Sequence, residues 1–275
     1  MENHEGQIRR DVDGYLDFFL ACGGTDVPYL RLHFPRYLAT RARFLSHWQG
    51  PTRGALLDVG AHWLHQSVLY AQQGFDVTAV DVPTTFEDDR VRKLADRHHV
   101  RLLSQTNPET ADALCSLPDA TFDVVLLTEI IEHITFNPVN MWREIYRVMK
   151  SGAHLIVTTP NYYALRGRVW HWLRFLSGLG SGVDVEHLLL EPSFAHHWKE
   201  YSLEELRGYF RILSLDFRIV DAAHVEKYST SARHGFAEAL ARQMERAIPF
   251  LRPNLYMHFR LEKERGIRLE PRWQL

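Results

Sequence analysis

Cysteine is almost missing from this chain: Cys22 and Cys115 are the only two among 275 residues. Their wide separation excludes a disulfide scaffold and fits reduced thiols in a cytoplasmic protein. An excess of charge of one sign is missing too. Thirty-two Lys and Arg stand against 34 Asp and Glu, a formal net charge of -2, so no overall basic field draws the protein to nucleic acid. No apolar run approaches the ~20 residues that span a bilayer. The first residues, MENHEGQIRRDVDGYLDFFLACGG, lack a signal peptide's basic start, unbroken apolar stretch and small-residue cleavage site, because Asp17 interrupts the run. What is present, 45% hydrophobic and 24% charged residues, is the mixture of a folded globular chain, long enough to bury a sizeable core.

The pattern divides into an N-terminal helical extension over 1–50, an α/β core over 51–160, a cap insertion over 161–200 and the C-terminal part of the core over 201–275. Residues 5–22 and 35–49 read as amphipathic helices, the second with Leu38, Ala42, Leu45 and Trp48 at helical spacing. Gly50, Pro51 and Gly54 then precede ALLDVG, a short apolar run suited to a buried parallel strand. Strands are expected at 55–59, 76–81, 100–104, 122–128 and 153–159, with helices at 64–73, 87–97 and 138–149 between them. This alternation predicts a mainly parallel sheet with helices on both faces, and ligands at the carboxyl ends of its strands. Ser202 with Glu205 reads as a capping box opening a helix. A strand at 215–221, a helix at 232–247 and a strand at 255–261 complete the expected set.

Residues 56–83 join a strand, a tight turn at Gly60, a helix and a second strand ending in Asp81. A turn glycine admits a ligand close to the backbone, and a carboxylate at the end of the second strand can accept from both hydroxyls of a ribose. A dinucleotide would require G-x-G-x-x-G for its pyrophosphate. Gly60 is followed instead by Ala61, His62, Trp63 and Leu64, which disfavours NAD. Farther on, Glu129, Glu132 and His133 follow the fourth strand, whose last residue is Thr128. As one helical turn this segment would place two carboxylates and an imidazole together. His133 then suits a general base, or the three side chains suit a divalent cation such as magnesium, or both glutamates are structural.

The segment LPDATFDVVLLTEIIEHITFNPVNMWREIYRVMKSGAHLIVTTPN, residues 117–161, resembles class I S-adenosylmethionine (SAM) methyltransferases: L-P-x-x-x-F-D-V-V, E-x-x-E-H, R-E-x-x-R-V-M-K-x-G and T-P-N follow in the family's order. Their first motif runs acidic-x-Gly-x-Gly-x-Gly. Asp58 and Gly60 match its first two fixed positions, while His62 and Leu64 replace the other two glycines. The resemblance implies an α/β, Rossmann-like, seven-stranded methyltransferase sheet with N-terminal helices and an inserted helical cap. It further implies SAM held by Asp58, Gly60, Asp81, Asp112 and Thr128. E-x-x-E-H is similar to the metal site of ubiquinone-biosynthesis O-methyltransferases and small-RNA 2'-O-methyltransferases, and implies Glu129, Glu132, His133 and His197 as ligands. His197 precedes Tyr201 by the interval seen in the RNA enzymes.

Methyl transfer to a hydroxyl of a saccharide or other small molecule is the expected activity, with Glu129, Glu132 and His133 at the reaction centre. Two alternatives stand beside it: a metal-dependent RNA 2'-O-methyltransferase, and a non-catalytic scaffold or partner subunit with a SAM-type fold. The arginine-rich aromatic stretch 161–176, with Arg166, Arg168 and Arg174, reads as a lid jointed at SGLGSG (177–182), as core packing, or as a peripheral membrane contact.

Overall fold

A computed structural model describes residues 14, 16–17, 27–51, 53–165, 183, 185–191, 195–226 and 236–270. Apart from Gly14, Leu16 and Asp17, which are helical, the expected helix over 5–22 lies outside the described residues, as do Cys22, Arg166, Arg168, Arg174 and the joint 177–182. The described residues fall into two compact units, one up to Thr106 and the other from Asn107 onward. No helix among them is long and apolar enough to cross a membrane.

In the first unit, helix α1 (Val27–Leu45) begins eight residues before the expected start at 35 and carries Pro35 in its interior. Proline lacks the N–H that would bond four residues back and normally breaks a helix. Here the apolar stripe runs straight through it. Leu30, Phe34, Leu38 and Phe44 are all buried, and each such side chain contributes roughly 1.5–3 kcal/mol. Strand β1 (Ala55–Val59), helix α2 (His65–Ala71) and strand β2 (Asp76–Asp81) follow as expected. A short helix α3 (Pro83–Phe86), helix α4 (Asp89–His98) and strand β3 (Arg101–Ser104) complete the unit. β1 pairs with β2, and β2 with β3, all parallel; Val59 lies opposite Val80, and Asp81 opposite Ser104.

The second unit contains the short helix α5 (Asp112–Cys115), strand β4 (Phe122–Thr128), helix α6 (Val139–Val148) and strand β5 (Met149–Pro160). Helix α6 buries Met141, Trp142, Ile145 and Val148, spacings of one, three and three residues that line one helical face. β5 starts four residues before the expected 153. Met149 pairs with Phe122 and His154 with Val124, so the intervening residues bulge out around Gly152, whose φ is +84°.

Helix α7 (Val185–Leu190) lies within the expected cap. Helix α8 (Leu203–Leu213) is opened by the predicted capping box: the Glu205 amide donates to Ser202 Oγ at 3.1 Å, and the Ser202 amide to Glu205 Oε2 at 2.9 Å. Strand β6 (Phe217–Val225), helix α9 (Phe236–Ala247) and strand β7 (Asn254–Leu261) end the unit. The seven strands form one sheet in the order β3-β2-β1-β4-β5-β7-β6, with β7 antiparallel to both β5 and β6. This is the expected mixed, Rossmann-like α/β sheet.

Asp216, just before β6, fastens the end of the chain to the sheet. Its Oδ2 accepts the amides of Glu264, Arg265 and Gly266 at 2.8–3.0 Å and the Tyr146 hydroxyl at 2.7 Å. Burial opposes ionisation of Asp216, but the Tyr146 and backbone hydrogen bonds outweigh it and hold the carboxyl below its ordinary value.

Candidate active site

The turn after β1 docks on the end of β2: the amides of Gly60 and Ala61 both donate to the Val80 carbonyl, at 2.8 and 3.2 Å. Three alternate positions in this turn have positive φ, namely Gly60 at 77°, His62 at 46° and Leu64 at 62°. These are the three glycine positions of the family's first motif. The chain keeps a backbone suited to glycine while placing side chains at two of the three sites, at a cost of about 1–2 kcal/mol per residue. Leu64, fully buried, occupies the N-cap position of α2 with no side-chain hydrogen bond to the helix.

Asp58 and Asp81 stand on either side of this turn and differ in their surroundings. Asp58 is buried, its Oδ2 accepting from the Ser67 hydroxyl at 2.6 Å, while Oδ1 has no hydrogen-bond partner among the described residues. Desolvation pushes its carboxyl up to about 7, with the Asp81 charge adding to the rise and the Ser67 hydrogen bonds opposing it. A buried acceptor without a donor costs about 1–3 kcal/mol, and a cationic or N–H-bearing ligand would satisfy it. Asp81 is half-buried and already oriented: Oδ1 accepts from the Val82 amide at 2.7 Å and the Thr85 hydroxyl at 3.0 Å, and Oδ2 from the His62 amide at 2.6 Å. The remaining lone pairs of a carboxylate held this way can still receive a diol. Ser67 and Thr85 carry no motif signal in the sequence; only their places, nine residues after Asp58 and four after Asp81, could have flagged them.

In the second unit, Thr128 ends β4 opposite Thr158 and is largely buried. Glu129 does not continue into a helical turn as expected. Its φ is +58° and its amide donates to the Thr158 carbonyl at 2.8 Å; the helix is a single 3-10 turn, Ile131–His133. The left-handed residue redirects the chain, so Glu129 is absent from the side-chain cluster that forms. The cluster joins Glu132, His133 and His197, whose ligand atoms lie within 4.8 Å of one another.

Glu132 is fully buried, its Oε2 accepting from the Thr159 hydroxyl at 2.8 Å. The Glu132 carbonyl receives the amides of Trp198 and Lys199 at 2.8 and 3.3 Å, which brings the residues around His197 to the turn. His133 Nδ1 lies 3.0 Å from the His196 carbonyl. A carbonyl only accepts, so Nδ1 carries the proton, and in the neutral ring Nε2 keeps its lone pair. That nitrogen lies 4.0 Å from Glu132 Oε1, and the ring meets His197 edge to face at 4.8 Å. Burial pushes the nearby Tyr201 hydroxyl up to about 12, with the Glu132 charge adding to the effect. Thr159, in the T-P-N element, is a partner of the site that residue types alone did not single out.

Asp112 opens α5 with its Oδ1 accepting from the Asn107 amide at 2.9 Å; this carboxylate shapes its own loop. Cys115, the one described cysteine, is a free, exposed thiol.

The Methyltransferase domain family matches residues 57–157. A ubiquinone biosynthesis O-methyltransferase of Caulobacter sp. (strain K31) is 32% identical over 187 residues, covering 65% of this chain and 67% of that protein. An uncharacterised Mycobacterium tuberculosis protein is also 32% identical, but over 133 residues, and the chain spans only 44% of that relative's length. Among solved structures, a chain of the complex between the Haloferax volcanii Trm112 methyltransferase activator and a putative methyltransferase is similar with a TM-score of 0.57 at 14% identity, over 84% of this chain and 92% of that one. A SAM-dependent methyltransferase from Archaeoglobus fulgidus is similar with a TM-score of 0.50 at 18% identity, over 90% and 99%. With the ordered motifs from Asp58 to Asn161 and a seven-stranded sheet whose last strand inserts antiparallel, the chain belongs to the class I SAM-dependent methyltransferases.

Proposed function

We propose that this protein transfers the methyl group of SAM to a hydroxyl oxygen of a small molecule, a saccharide or another metabolite, with His133 as the proton acceptor. The observation that carries the reading is the His133 tautomer: Nδ1–H is committed to the His196 carbonyl, which leaves Nε2 as a base beside the buried Glu132. When bound, SAM would supply an electrophilic methyl carbon to the acceptor oxygen and a neutral thioether as leaving group. The hydroxyl proton passes to Nε2. Base catalysis of this kind contributes about 10²–10⁴-fold in comparable cases. Glu132 stabilises the imidazolium that results.

The cofactor assignment draws on the first unit. Asp81 would hold the ribose hydroxyls and the turn from Asp58 to Leu64 the methionine part, where the unpartnered Asp58 Oδ1 fits a cationic ligand. Thr128 and Asp112 remain assigned to the cofactor from the family pattern. The Caulobacter relative's O-methyltransferase activity favours oxygen over nitrogen as the acceptor.

A second reading rests on the same three side chains. Glu132, His133 and His197 supply one carboxylate and two imidazoles, a donor set suited to a divalent cation. When bound, such a cation would lower the acceptor hydroxyl's pKa and orient it; Glu129 would have to turn toward the cluster to complete the set of four expected from sequence. Incubation with SAM and a panel of phenols, saccharides and short RNAs, scored by release of demethylated cofactor, tests the proposal. Turnover of a small hydroxyl acceptor that falls steeply in His133→Ala supports it. Turnover of RNA alone, or of amines alone, overturns the substrate class, and SAM binding without any turnover favours a partner role.

A further inference from the structure

The turn that replaces glycine with His62 and Leu64 is covered by the first half of α1, and the covering side chains are rings. His62 and Trp63 stack on each other with centroids 4.6 Å apart at 20°. Tyr29 meets both edge-on, at 5.8 Å in each case, and itself rests against His33 at 4.4 Å. About two helical turns beyond Tyr29, Tyr37 stacks on the buried His65 at 5.5 Å and 13°. The second half of α1 is fixed independently of the turn. Arg41 donates to the Leu69 carbonyl at 3.3 Å, Phe44 packs against Tyr70 at 5.7 Å, and Trp48 packs against Phe75 at 5.4 Å.

We propose that Tyr29 is a positioning residue for the cofactor turn: anchored by the far half of its helix, it clamps the His62–Trp63 pair and so holds a glycine-type backbone at residues that carry side chains. The inference rests on the reading that this turn holds SAM. Three facts converge on it. The left-handed conformations at His62 and Leu64 are ones that L side chains rarely adopt, so neighbouring contacts must over-determine them. The His62 amide, released from that conformation, would no longer point at Asp81, to which it donates at 2.6 Å. Tyr29 touches the ring of His62, itself a strained position, and that of Trp63, which lies between the two, where such leverage is most direct.

A double-mutant cycle on the full chain tests the clamp by calorimetric SAM binding. Tyr29→Ala is expected to weaken SAM affinity about tenfold in the native turn. In a His62→Gly background, where the backbone is relaxed and the ring contact gone, the same substitution should cost less than about twofold. Tyr29→Phe, which keeps the ring, should bind SAM as the native protein does. Trp48→Ala, which lies beyond the end of α1 and leaves the Arg41–Leu69 and Phe44–Tyr70 contacts in place, should lower the melting temperature with little change in affinity. An equal loss from Tyr29→Ala in both backgrounds would mean that Tyr29 meets the cofactor directly and would overturn the clamp alone. No loss in the native turn overturns it as well. A native protein that binds no SAM overturns the cofactor reading and the clamp together.

Discussion

The backbone N–H of His62 donates to the Asp81 carboxylate across 2.6 Å, so the residue that replaces a motif glycine is tied to the carboxylate assigned to the ribose. Replacing Asp81 with Ala removes both the diol acceptor and the tether of the turn. SAM affinity should fall at least tenfold, about 1.4 kcal/mol, in calorimetric titration, and the melting temperature should fall as well, because two amides and a hydroxyl lose their acceptor. Unchanged affinity would mean that the ribose is held elsewhere.

The second strand's acidic end and the turn after β1 were legible because a short apolar strand, a glycine and a carboxylate leave a periodic imprint on the sequence. The conformation at positions 62 and 64 was not. Substitution of glycine by His62 and Leu64 suggests a different turn, yet φ remains positive at both; the His62 and Trp63 rings meet Tyr29, distant in sequence, and Leu64 is fully buried. Helix α1 was misjudged for a related reason. The spacing of Leu38, Ala42, Leu45 and Trp48 marked only 35–49, whereas Leu30 and Phe34 bury enough surface to extend the helix back across Pro35. Glu129 was expected beside Glu132 and His133 on one helical turn, but it is left-handed, the turn begins only at Ile131, and the cluster holds His197 instead.

Asp58 and Asp216 should give opposite pH signatures in stability. Burial raises the Asp58 carboxyl to about 7, so its contribution is fully present below the unfolded value near 4 and is lost as pH rises toward 7; the difference is up to about 4 kcal/mol. Asp58→Asn should flatten the decline in melting temperature over that window. Asp216, held below its ordinary value, contributes stability above pH ~4 that disappears in stronger acid. Asp216→Ala, which strips three amides and the Tyr146 hydroxyl of their acceptor, should cost about 2–3 kcal/mol in denaturant unfolding at pH 7. A loss under 1 kcal/mol would mean that water replaces the carboxylate at no cost.

On the proposed cofactor assignment, the same Asp58 carboxyl would link SAM binding to protons. A sulfonium and an ammonium group favour the ionised form, so binding below pH 7 must release a proton, and affinity should fall up to about tenfold per pH unit from 7 toward 5. Calorimetry in buffers of different ionisation enthalpy counts that proton directly. Asp58→Asn should bind SAM with no such dependence; a native affinity flat over this range would remove Asp58 from contact with the cofactor's charge.

His133→Ala should reduce turnover by 10²–10⁴-fold while leaving SAM affinity within about twofold. An equal loss in both would assign the ring a structural task. The divalent-cation reading has its own readout. Magnesium or zinc should raise the melting temperature of the native chain and not of Glu132→Gln or His197→Ala, and activity should vanish with chelator and return with metal. Activity indifferent to chelator leaves His133 as base alone.

The carbonyl of His196 fixes the His133 proton on Nδ1, and the amides of Trp198 and Lys199 bond to the Glu132 carbonyl. These three links make the imidazole's basicity a property of two chain segments more than sixty residues apart. With the segment docked, the proton is held on Nδ1; were the segment to lift away, the ring would lose the acceptor that fixes its tautomer and the Glu132 carbonyl its two amide donors. On the role proposed for His133, the base would be set only with residues 196–199 in place, and amide exchange at Trp198 should report on the same contact as the ring's proton.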